Sequence, residues 1–146
     1  MAINKILDFS LFLRDKYQKT QVHRLAEHGR HDELASLIAK RFCDPNLVDD
    51  EGNTPLHLAC KIRHSQCVQV LLASEKIDVN LKNNQGLAAL HLAAQHGYYY
   101  CLNDLLVCEN IDINIGCAYL SIYQLKLFRY MLYINYHHHH LDLSYI

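Results

Sequence analysis

The chain has 146 residues, of which 51% are hydrophobic and 20% charged, and its formal net charge is -1. This balance excludes a disordered chain and suits a single folded domain. A chain this close to neutrality offers no basic surface for DNA or RNA, so we expect no nucleic-acid partner.

Residues 1–17 carry apolar side chains at near-helical spacing. Because the end units of a repeat array need a cover for their apolar faces, we predict a capping helix over residues 1–17. The apolar positions are Ile3, Ile6, Leu7, Phe9, Leu13 and Tyr17.

An internal repeat with a period of 34 residues follows this segment. Residues 52–60 match residues 86–94, with His57 opposite His91. A weaker copy places His23 at the same position one period earlier. Such self-similarity is the signature of a stacked repeat architecture. The predicted units cover residues 18–51, 52–85 and 86–114.

Each unit has the pattern of two short helices. In the second unit, Thr54 is a good N-cap and Pro55 a good first helical residue. Residues 63–65 interrupt the apolar pattern and separate the two helices. Isolated helices need about 12–15 residues for marginal stability. The units must therefore bury their apolar faces against one another, as the units of a solenoid do.

These motifs resemble the ankyrin repeat. The resemblance is carried by Thr-Pro-Leu-His-Leu-Ala-Cys at residues 54–60, Ala-Leu-His-Leu-Ala-Ala at 89–94, Asp-Val-Asn at 78–80 and Asp-Ile-Asn at 112–114. It covers about residues 18–114. The resemblance implies an all-α fold, an ankyrin-repeat solenoid of stacked helix-turn-helix units with short finger loops.

Three departures from the ankyrin pattern concern local geometry. Each unit is one residue longer than usual, and the third has Ala88 and Ala89 where the second has Thr-Pro. The position after the first helix is usually glycine. It is Gly29 and Gly97 in the first and third units but Arg63 in the second. We expect these differences to alter loops and not the fold.

The repeated histidines could be taken for catalytic bases, but the resemblance implies a structural role. In ankyrin repeats this residue forms hydrogen bonds near the helix start and toward the neighbouring unit. We expect the same of His23, His57 and His91. We interpret Asn80 and Asn114, late in their units, as residues that stabilise a loop turn.

The six cysteines contain no Cys-x-x-Cys pair, so the spacings typical of zinc and redox sites are absent. We expect reduced thiols in a cytoplasmic or nuclear protein. Cys67 and Cys101 begin the second helices of their units. Each is either a thiol with a lowered pKa or a small buried apolar residue.

No motif supports catalysis, because a glycine-rich phosphate loop, a His-Glu-x-x-His helix and a nucleophile elbow are all absent. We predict no enzymatic activity and no cofactor. Residues 137–140 are four consecutive histidines, either a weak transition-metal site or a solvated run. We assign no metal ligand, since Asp142 is the only carboxylate at ligand spacing.

Residues 115–146 form an atypical tail rich in Tyr, Leu and Ile. Three alternatives stay open: a helix packed on the open end of the stack, a tail foreign to the array, and a membrane span over residues 118–136. Lys126 and Arg129 disfavour the span, because each would cost about 3 kcal/mol at the centre of a bilayer. We therefore expect no membrane partner.

The resemblance also implies a binding surface, since finger loops and first-helix ends form a concave face in ankyrin stacks. Ile62 and Leu87 are expected to be exposed apolar anchors within a polar rim. The tyrosines at 98–100 are placed in a turn, either as interface anchors or under the tail. The matching positions are Asp50, Glu51, Asn53, Lys61, Ile62, Asn84, Gln85, Leu87, Gln95 and His96, with Glu27 and His28 in the first unit.

We therefore predict a protein-protein interaction module, an adaptor or inhibitor that binds another protein through this face. The sequence defines neither that partner nor the oligomeric state. Residues 50–60 are also similar to inhibitors of NF-kappa-B. The alternative is a truncated product or regulatory fragment of a larger ankyrin-containing enzyme or channel, which the abrupt end of the pattern after Asn114 favours.

Overall fold

The structure is a computed structural model that describes residues 13–40, 43–113, 115–116 and 133. Six α-helices lie in repeats 1 to 3, and the described residues contain no strand. The prediction of an all-α fold is confirmed. The helices are α1 Gln21–Glu27, α2 His31–Ile38, α3 Pro55–Lys61, α4 Ser65–Leu72, α5 Ala89–Gln95 and α6 Tyr99–Leu106.

The helices form two layers. The first helices of the repeats, α1, α3 and α5, pack in chain order as an inner layer, and α2, α4 and α6 pack in the same order behind them. Leu37, Leu71 and Leu105 recur every 34 residues on the outer helices and are buried in the core. Each seven- or eight-residue helix is therefore stabilised by its neighbours.

Helix α3 begins as the sequence predicts. The Thr54 hydroxyl accepts a hydrogen bond from the His57 backbone N–H at 3.4 Å, and Pro55 is the first helical residue. The cap satisfies one of the helix-end N–H groups, and proline there has no N–H to satisfy. The helix ends at Lys61, and the next begins at Ser65, so the predicted break is confirmed.

A buried histidine joins each repeat to the next. The His57 Nδ1 atom accepts the Thr54 backbone N–H at 3.1 Å, and His57 Nε2 lies 2.8 Å from the Leu87 carbonyl oxygen. Because a backbone N–H can only donate, Nδ1 carries no proton and Nε2 donates to the carbonyl. His23 makes the same junction with the Asn53 carbonyl. The structural role predicted for these histidines is confirmed.

The third junction has a different register. His91 Nδ1 accepts the Ala88 N–H at 2.9 Å, and Nε2 donates to the Ile115 carbonyl at 2.9 Å. The acceptor lies 24 residues beyond His91, whereas Leu87 lies 30 residues beyond His57. The segment between the histidine and its acceptor is therefore six residues shorter in the third junction. It is too short to contain a finger as long as the one that precedes Leu87.

Asparagines link the repeats at the loops after the outer helices. The Asn80 side-chain amide donates to the Asn110 carbonyl at 2.8 Å, and its oxygen accepts the Asp112 N–H at 2.8 Å. Asn46 forms the same pair of bonds one repeat earlier. The loop-stabilising role predicted for Asn80 is confirmed, whereas Asn114 lies outside the described residues.

Candidate protein-binding groove

The finger between repeats 1 and 2 is shaped by a buried carboxylate. Asp49 accepts the backbone N–H groups of Glu51 at 3.0 Å and Asn53 at 2.9 Å, and its own N–H donates to the Asn53 carbonyl. Asn83 closes the next finger with the same set of bonds. Each finger is therefore a small closed turn whose shape depends on one Asx side chain.

A further finger lies before repeat 1, where we predicted part of a capping helix. Asp15 accepts the backbone N–H groups of Tyr17 and Lys19, both at 2.9 Å. The bond from Lys19 is the main cause of the lowered pKa of Asp15. The predicted helix over 1–17 therefore does not reach Tyr17, and its residues 1–12 lie outside the described part. The missed signal was the spacing of Asp15, Asp49 and Asn83, which is 34 residues at each step.

Backbone hydrogen bonds fasten the three fingers side by side. The Asp50 N–H donates to the Tyr17 carbonyl and the Asn84 N–H to the Glu51 carbonyl, each at 3.0 Å. The Asn84 side-chain amide also donates to the Asp50 carbonyl at 3.1 Å. The fingertips are thus held in place before any partner arrives, which lowers the entropic cost of binding.

A groove runs between the fingers and the ends of the inner helices. Its larger part, between repeats 2 and 3, has a volume of about 330 Å³, and its smaller part, between repeats 1 and 2, about 200 Å³. Glu51 and Lys61 line both parts, so the two parts adjoin at these side chains.

Most of the predicted binding residues are accessible in this region. The exposed ones are Asp50, Glu51, Lys61, Ile62, Asn84, Gln85, Gln95 and His96, together with His28 from repeat 1. Glu27 is half-buried and pairs with Lys19 at 2.8 Å. In contrast, Asp50, Glu51 and Lys61 have no ion-pair partner among the residues that the structure describes. Repeat 2 therefore presents uncompensated charge of both signs.

Two of the predicted contact residues are buried instead. Leu87 is 4% exposed, and the expectation of an apolar anchor there is wrong. Its N–H bonds to Asn83 and its carbonyl to His57, which holds the side chain in the core. Asn53 is also 4% exposed, and its amide bridges the side chains of Asn83 and Glu51. Ile62, at 39% exposed, remains as an apolar anchor.

A stack of side chains missed by the sequence analysis lies at the helix-turn edge of the groove. The Arg63 guanidinium sits over the Tyr98 ring, 4.9 Å from its centroid. The Tyr98 and His96 rings are stacked with centroids 5.2 Å apart. The stack joins repeats 2 and 3. The substitution of Arg63 for the usual glycine was the only signal in the sequence.

Arg63 adopts a backbone conformation that is unfavourable for its residue type. Its φ is 68°, close to the values of Gly29 and Gly97 at the equivalent positions. A left-handed conformation costs a non-glycine residue about 1–2 kcal/mol, and an exposed cation–π contact returns about 0.5–1 kcal/mol. The contact with Tyr98 therefore does not by itself offset the strain.

The three tyrosines are distributed differently from the prediction. Only Tyr98 lies in the turn, as the residue before α6, whereas Tyr99 and Tyr100 begin the helix. Tyr99 packs against the core and meets Tyr100 edge-on. Tyr100 is 74% exposed. An aromatic residue this exposed is available to a partner.

The equivalent cysteines of repeats 2 and 3 lie in the core. Cys67 and Cys101 are free and buried, and burial raises the pKa of Cys67 and raises that of Cys101 to about 11. The alternative of a lowered pKa at these residues is therefore wrong, and both act as small apolar core residues.

The remaining predictions concern parts of the chain outside the described residues. They include the tail alternatives for residues 117–132 and 134–146 and the histidine run at 137–140. Within the described ranges, no helix is long and apolar enough to span a bilayer. The described part likewise contains no cluster of three metal-ligating side chains.

Comparison with known proteins agrees with this geometry. The family model for ankyrin repeats in three copies matches residues 22–117. The chain belongs to the ankyrin-repeat family. Ankyrin repeats are non-catalytic protein-interaction modules, so the predicted interaction class is confirmed at this general level.

Several longer proteins share part of the sequence. Human and mouse ankyrin repeat domain-containing protein 13B are 41% identical over 54 residues, 37% of this chain and 9% of theirs. Pig NF-kappa-B inhibitor alpha is 43% identical over 51 residues, 35% of this chain and 16% of its own. Human transient receptor potential cation channel subfamily A member 1 is 34% identical over 76 residues, 49% and 7% respectively. The chain thus spans a small fraction of each relative.

Proposed function

We propose that this ankyrin-repeat protein binds another protein through the groove between its fingers and inner helices, acting as an adaptor or inhibitor. The observation that carries the proposal is that the two parts of the groove, which adjoin at Glu51 and Lys61, are lined by residues of all three repeats. A binding face that extends over three repeats fits an extended or helical segment better than a small molecule.

Repeat 2 contributes the features expected of the interface centre. Ile62 supplies an exposed apolar side chain, and the same part of the groove is lined by Asp50, Glu51 and Lys61, whose charges the described residues do not pair. Apolar anchors within a polar rim are typical of protein interfaces. The hydrogen-bonded fingers add preorganisation, which improves affinity without new contacts.

Site-directed photo-crosslinking tests this proposal. A photoreactive amino acid replaces Ile62 or Gln95 in the groove, and in a matched control it replaces the exposed Gln66 on an outer helix. We expect the two groove positions to crosslink to the same protein, and an excess of unlabelled chain to compete with the product. Crosslinking from Gln66 alone, or equal products from all three positions, would refute the assignment of the face.

A double substitution provides the functional control. Ile62→Asp combined with Lys61→Glu changes only exposed side chains, so we expect an unchanged folded helix content. As a competitor, this variant should be at least about tenfold weaker than the parent chain, because truncation of a central anchor costs about 2 kcal/mol. Full competition by the variant would contradict the proposal.

A second candidate is a regulatory segment of a larger ankyrin-containing protein. It is favoured by the length of the relatives, of which the matched regions cover 7% to 16%. Sequencing of the transcript and the genomic locus tests it. Further repeats in frame would support this reading, and their absence would favour a stand-alone binding protein. We also expect a cytoplasmic or nuclear location, which imaging of a tagged chain would check.

A further inference from the structure

Arg63 occupies a position where the other two repeats avoid strain with glycine. Gly29, Arg63 and Gly97 have φ values of 73°, 68° and 66°, so the backbone turns in the same way in each repeat. Strain that is retained where a simpler residue would relieve it points to a role for the side chain beyond the turn itself.

The charge of Arg63 is available to a partner. The other described arginines have their own partners: Arg24 lies 3.9 Å from Asp15, Arg30 pairs with Glu33, and Arg14 donates to two backbone carbonyls. Arg63 is exposed, and no carboxylate of the described residues pairs with it. Its guanidinium contacts the Tyr98 ring instead. Contact with an aromatic ring leaves the five guanidinium N–H donors for other hydrogen bonds.

The surroundings of the guanidinium specify the chemistry of its ligand. Tyr98 holds it on one side, and His96 continues the stack into the groove that it lines. Lys61 adds a second unpaired cation, and the exposed Ile62 lies between Lys61 and Arg63 in the chain. A restrained guanidinium binds a carboxylate with two parallel hydrogen bonds, while an apolar side chain favours an apolar neighbour.

We propose that Arg63, held by Tyr98 at the edge of the groove, receives an acidic segment of the protein partner. A partner carboxylate accepts hydrogen bonds from the guanidinium, and an adjacent apolar side chain packs on Ile62. This inference rests on the proposed function, because it names the chemistry of the partner for the same groove. The acidic fingertips Asp50 and Glu51 on the other side of the groove would disfavour further carboxylates there, which orients the segment.

Arg63→Gly is an informative variant, since the equivalent residues of repeats 1 and 3 are glycines with the same backbone conformation. It removes the guanidinium and relieves the strain without disturbing the turn. If Arg63 only clamps two repeats together, the variant changes thermal stability and no binding. If it recognises a carboxylate, binding is lost while the chain remains folded.

The experiment is an NMR titration of the isotope-labelled full chain with two pools of synthetic decapeptides. One pool mixes Asp and Glu with Leu, Ile and Phe, and the other has Asn and Gln in place of the acids. We expect the acidic pool to shift the signals of Ile62, Arg63 and His96. Arg63→Gly should weaken the binding of this pool roughly tenfold, as for the loss of a charge-assisted hydrogen bond.

Two further variants separate the contributions. Arg63→Lys keeps the charge but loses the planar fork, so we expect an affinity between those of the parent and the glycine variant. Lys82→Gln removes an exposed charge outside the stack and should leave the affinity unchanged. Raised salt should weaken the acidic pool and bring it closer to the neutral pool.

The inference is overturned if the acidic pool causes no shift at Ile62 and Arg63, if both pools bind equally, or if Arg63→Gly binds as the parent does. Groove crosslinking from Ile62 and Gln95 distinguishes these outcomes from failure of the proposed function. Persistent crosslinking with no preference for acidic peptides would leave a groove of different chemistry, whereas loss of both would remove the binding face altogether.

Discussion

Repeats 2 and 3 have the same pair of helices but different helix starts. In repeat 2 the His57 ring meets both the backbone N–H and the hydroxyl of Thr54, whereas in repeat 3 the His91 ring meets only the backbone N–H of Ala88. The helices nevertheless begin at equivalent positions, Pro55 and Ala89. The histidine junction is thus common to both repeats, and the Thr-Pro cap is a supplement to it.

The two repeats also differ in what lies beyond them. The His57 junction reaches a complete finger at Leu87, while the His91 junction reaches Ile115 after a shorter path. Repeat 2 is covered on both sides by equivalent units, and repeat 3 on one side only among the described residues. The nearest-neighbour character of solenoids predicts that the same substitution has a larger effect in the central repeat.

The pH dependence of stability tests whether the histidine junctions, which the repeats share, hold the repeats together more than the caps, which differ. Burial lowers the pKa of His23, His57 and His91 from the ordinary value of 6.5. Below about pH 6.5 the unfolded chain binds protons that the folded chain excludes, so stability is greatest above this pH and falls as pH decreases. Each such histidine contributes a slope of up to about 1.4 kcal/mol per pH unit.

Urea unfolding between pH 7.5 and pH 5 measures this dependence. We expect the free energy of unfolding to be greatest above about pH 6.5 and to decrease steadily as the pH falls below it. Replacement of the exposed His28, whose ring bonds only to the Arg24 carbonyl within repeat 1, serves as the control variant. A stability that is constant over this range would contradict the role of the junctions.

Removal of a single junction is expected to have the next largest effect. His57→Ala leaves the Thr54 N–H and the Leu87 carbonyl without partners, and unsatisfied buried groups cost about 1–3 kcal/mol each. We expect a loss of about 3 kcal/mol for His57→Ala and about half of that for His91→Ala, measured by urea unfolding. Equal losses would show that the end repeat is as well supported as the central one.

Equivalent glycines in the second and third fingers, Gly52 and Gly86, allow a direct comparison of the two fingers. Gly52 and Gly86 both have a φ of 76°, but a Cβ at Gly52 would lie 2.8 Å from the Asn84 backbone nitrogen, and one at Gly86 would meet nothing within 4 Å. Gly86→Ala should cost only the left-handed conformation, about 1 kcal/mol. Gly52→Ala should cost about 1 kcal/mol more because the neighbouring finger must move.

Thermal unfolding of the two glycine variants provides the measurement. We expect the melting temperature to be highest for the parent chain, lower for Gly86→Ala and lowest for Gly52→Ala. If the two variants unfold together, the contact between the second and third fingers contributes little, and the preorganisation of the groove is weaker than the hydrogen bonds of Asn84 suggest.

The cap itself gives the smallest predicted effect. Thr54→Ala should destabilise the chain by about 1 kcal/mol, and Ala88→Thr should stabilise it by up to the same amount, because an N-cap hydroxyl contributes about 0.5–2 kcal/mol. Chemical denaturation of both single variants and of the double variant measures the difference. If the stability gained from Ala88→Thr exceeds the stability lost from Thr54→Ala, the cap is more than a supplement to the histidine junction.

Local chemistry explains why much of the fold was predictable from the sequence. The 34-residue period, the cap at Thr54 and the break before Ser65 depend on residues close together in the chain, and all three are present in the structure. The structural role of His57 could be inferred from the family resemblance. The fingertip charges Asp50 and Glu51 were also placed correctly on the surface.

The wrong or missing predictions concern residues whose positions depend on hydrogen bonds and contacts that a local apolar pattern does not reveal. Leu87 looks like a loop residue in sequence, but its bonds to Asn83 and His57 hold it in the core. The first finger was missed because it is closed by the polar side chain of Asp15, whose 34-residue spacing from Asp49 does not appear in a pattern of apolar residues. The stack of Arg63 on Tyr98 joins residues from different repeats, so no local pattern predicts it.

By itself, therefore, the sequence determined the number of repeats and, in repeat 2, the start of the first helix and the break before the second. Those features follow from propensity, capping and periodicity, which act over a few residues. Only the tertiary structure decided which finger residues face the groove, how the fingers are fastened, and where Arg63 meets Tyr98. These depend on the stacking of successive repeats, because residues 30 or more positions apart become neighbours only when the repeats pack.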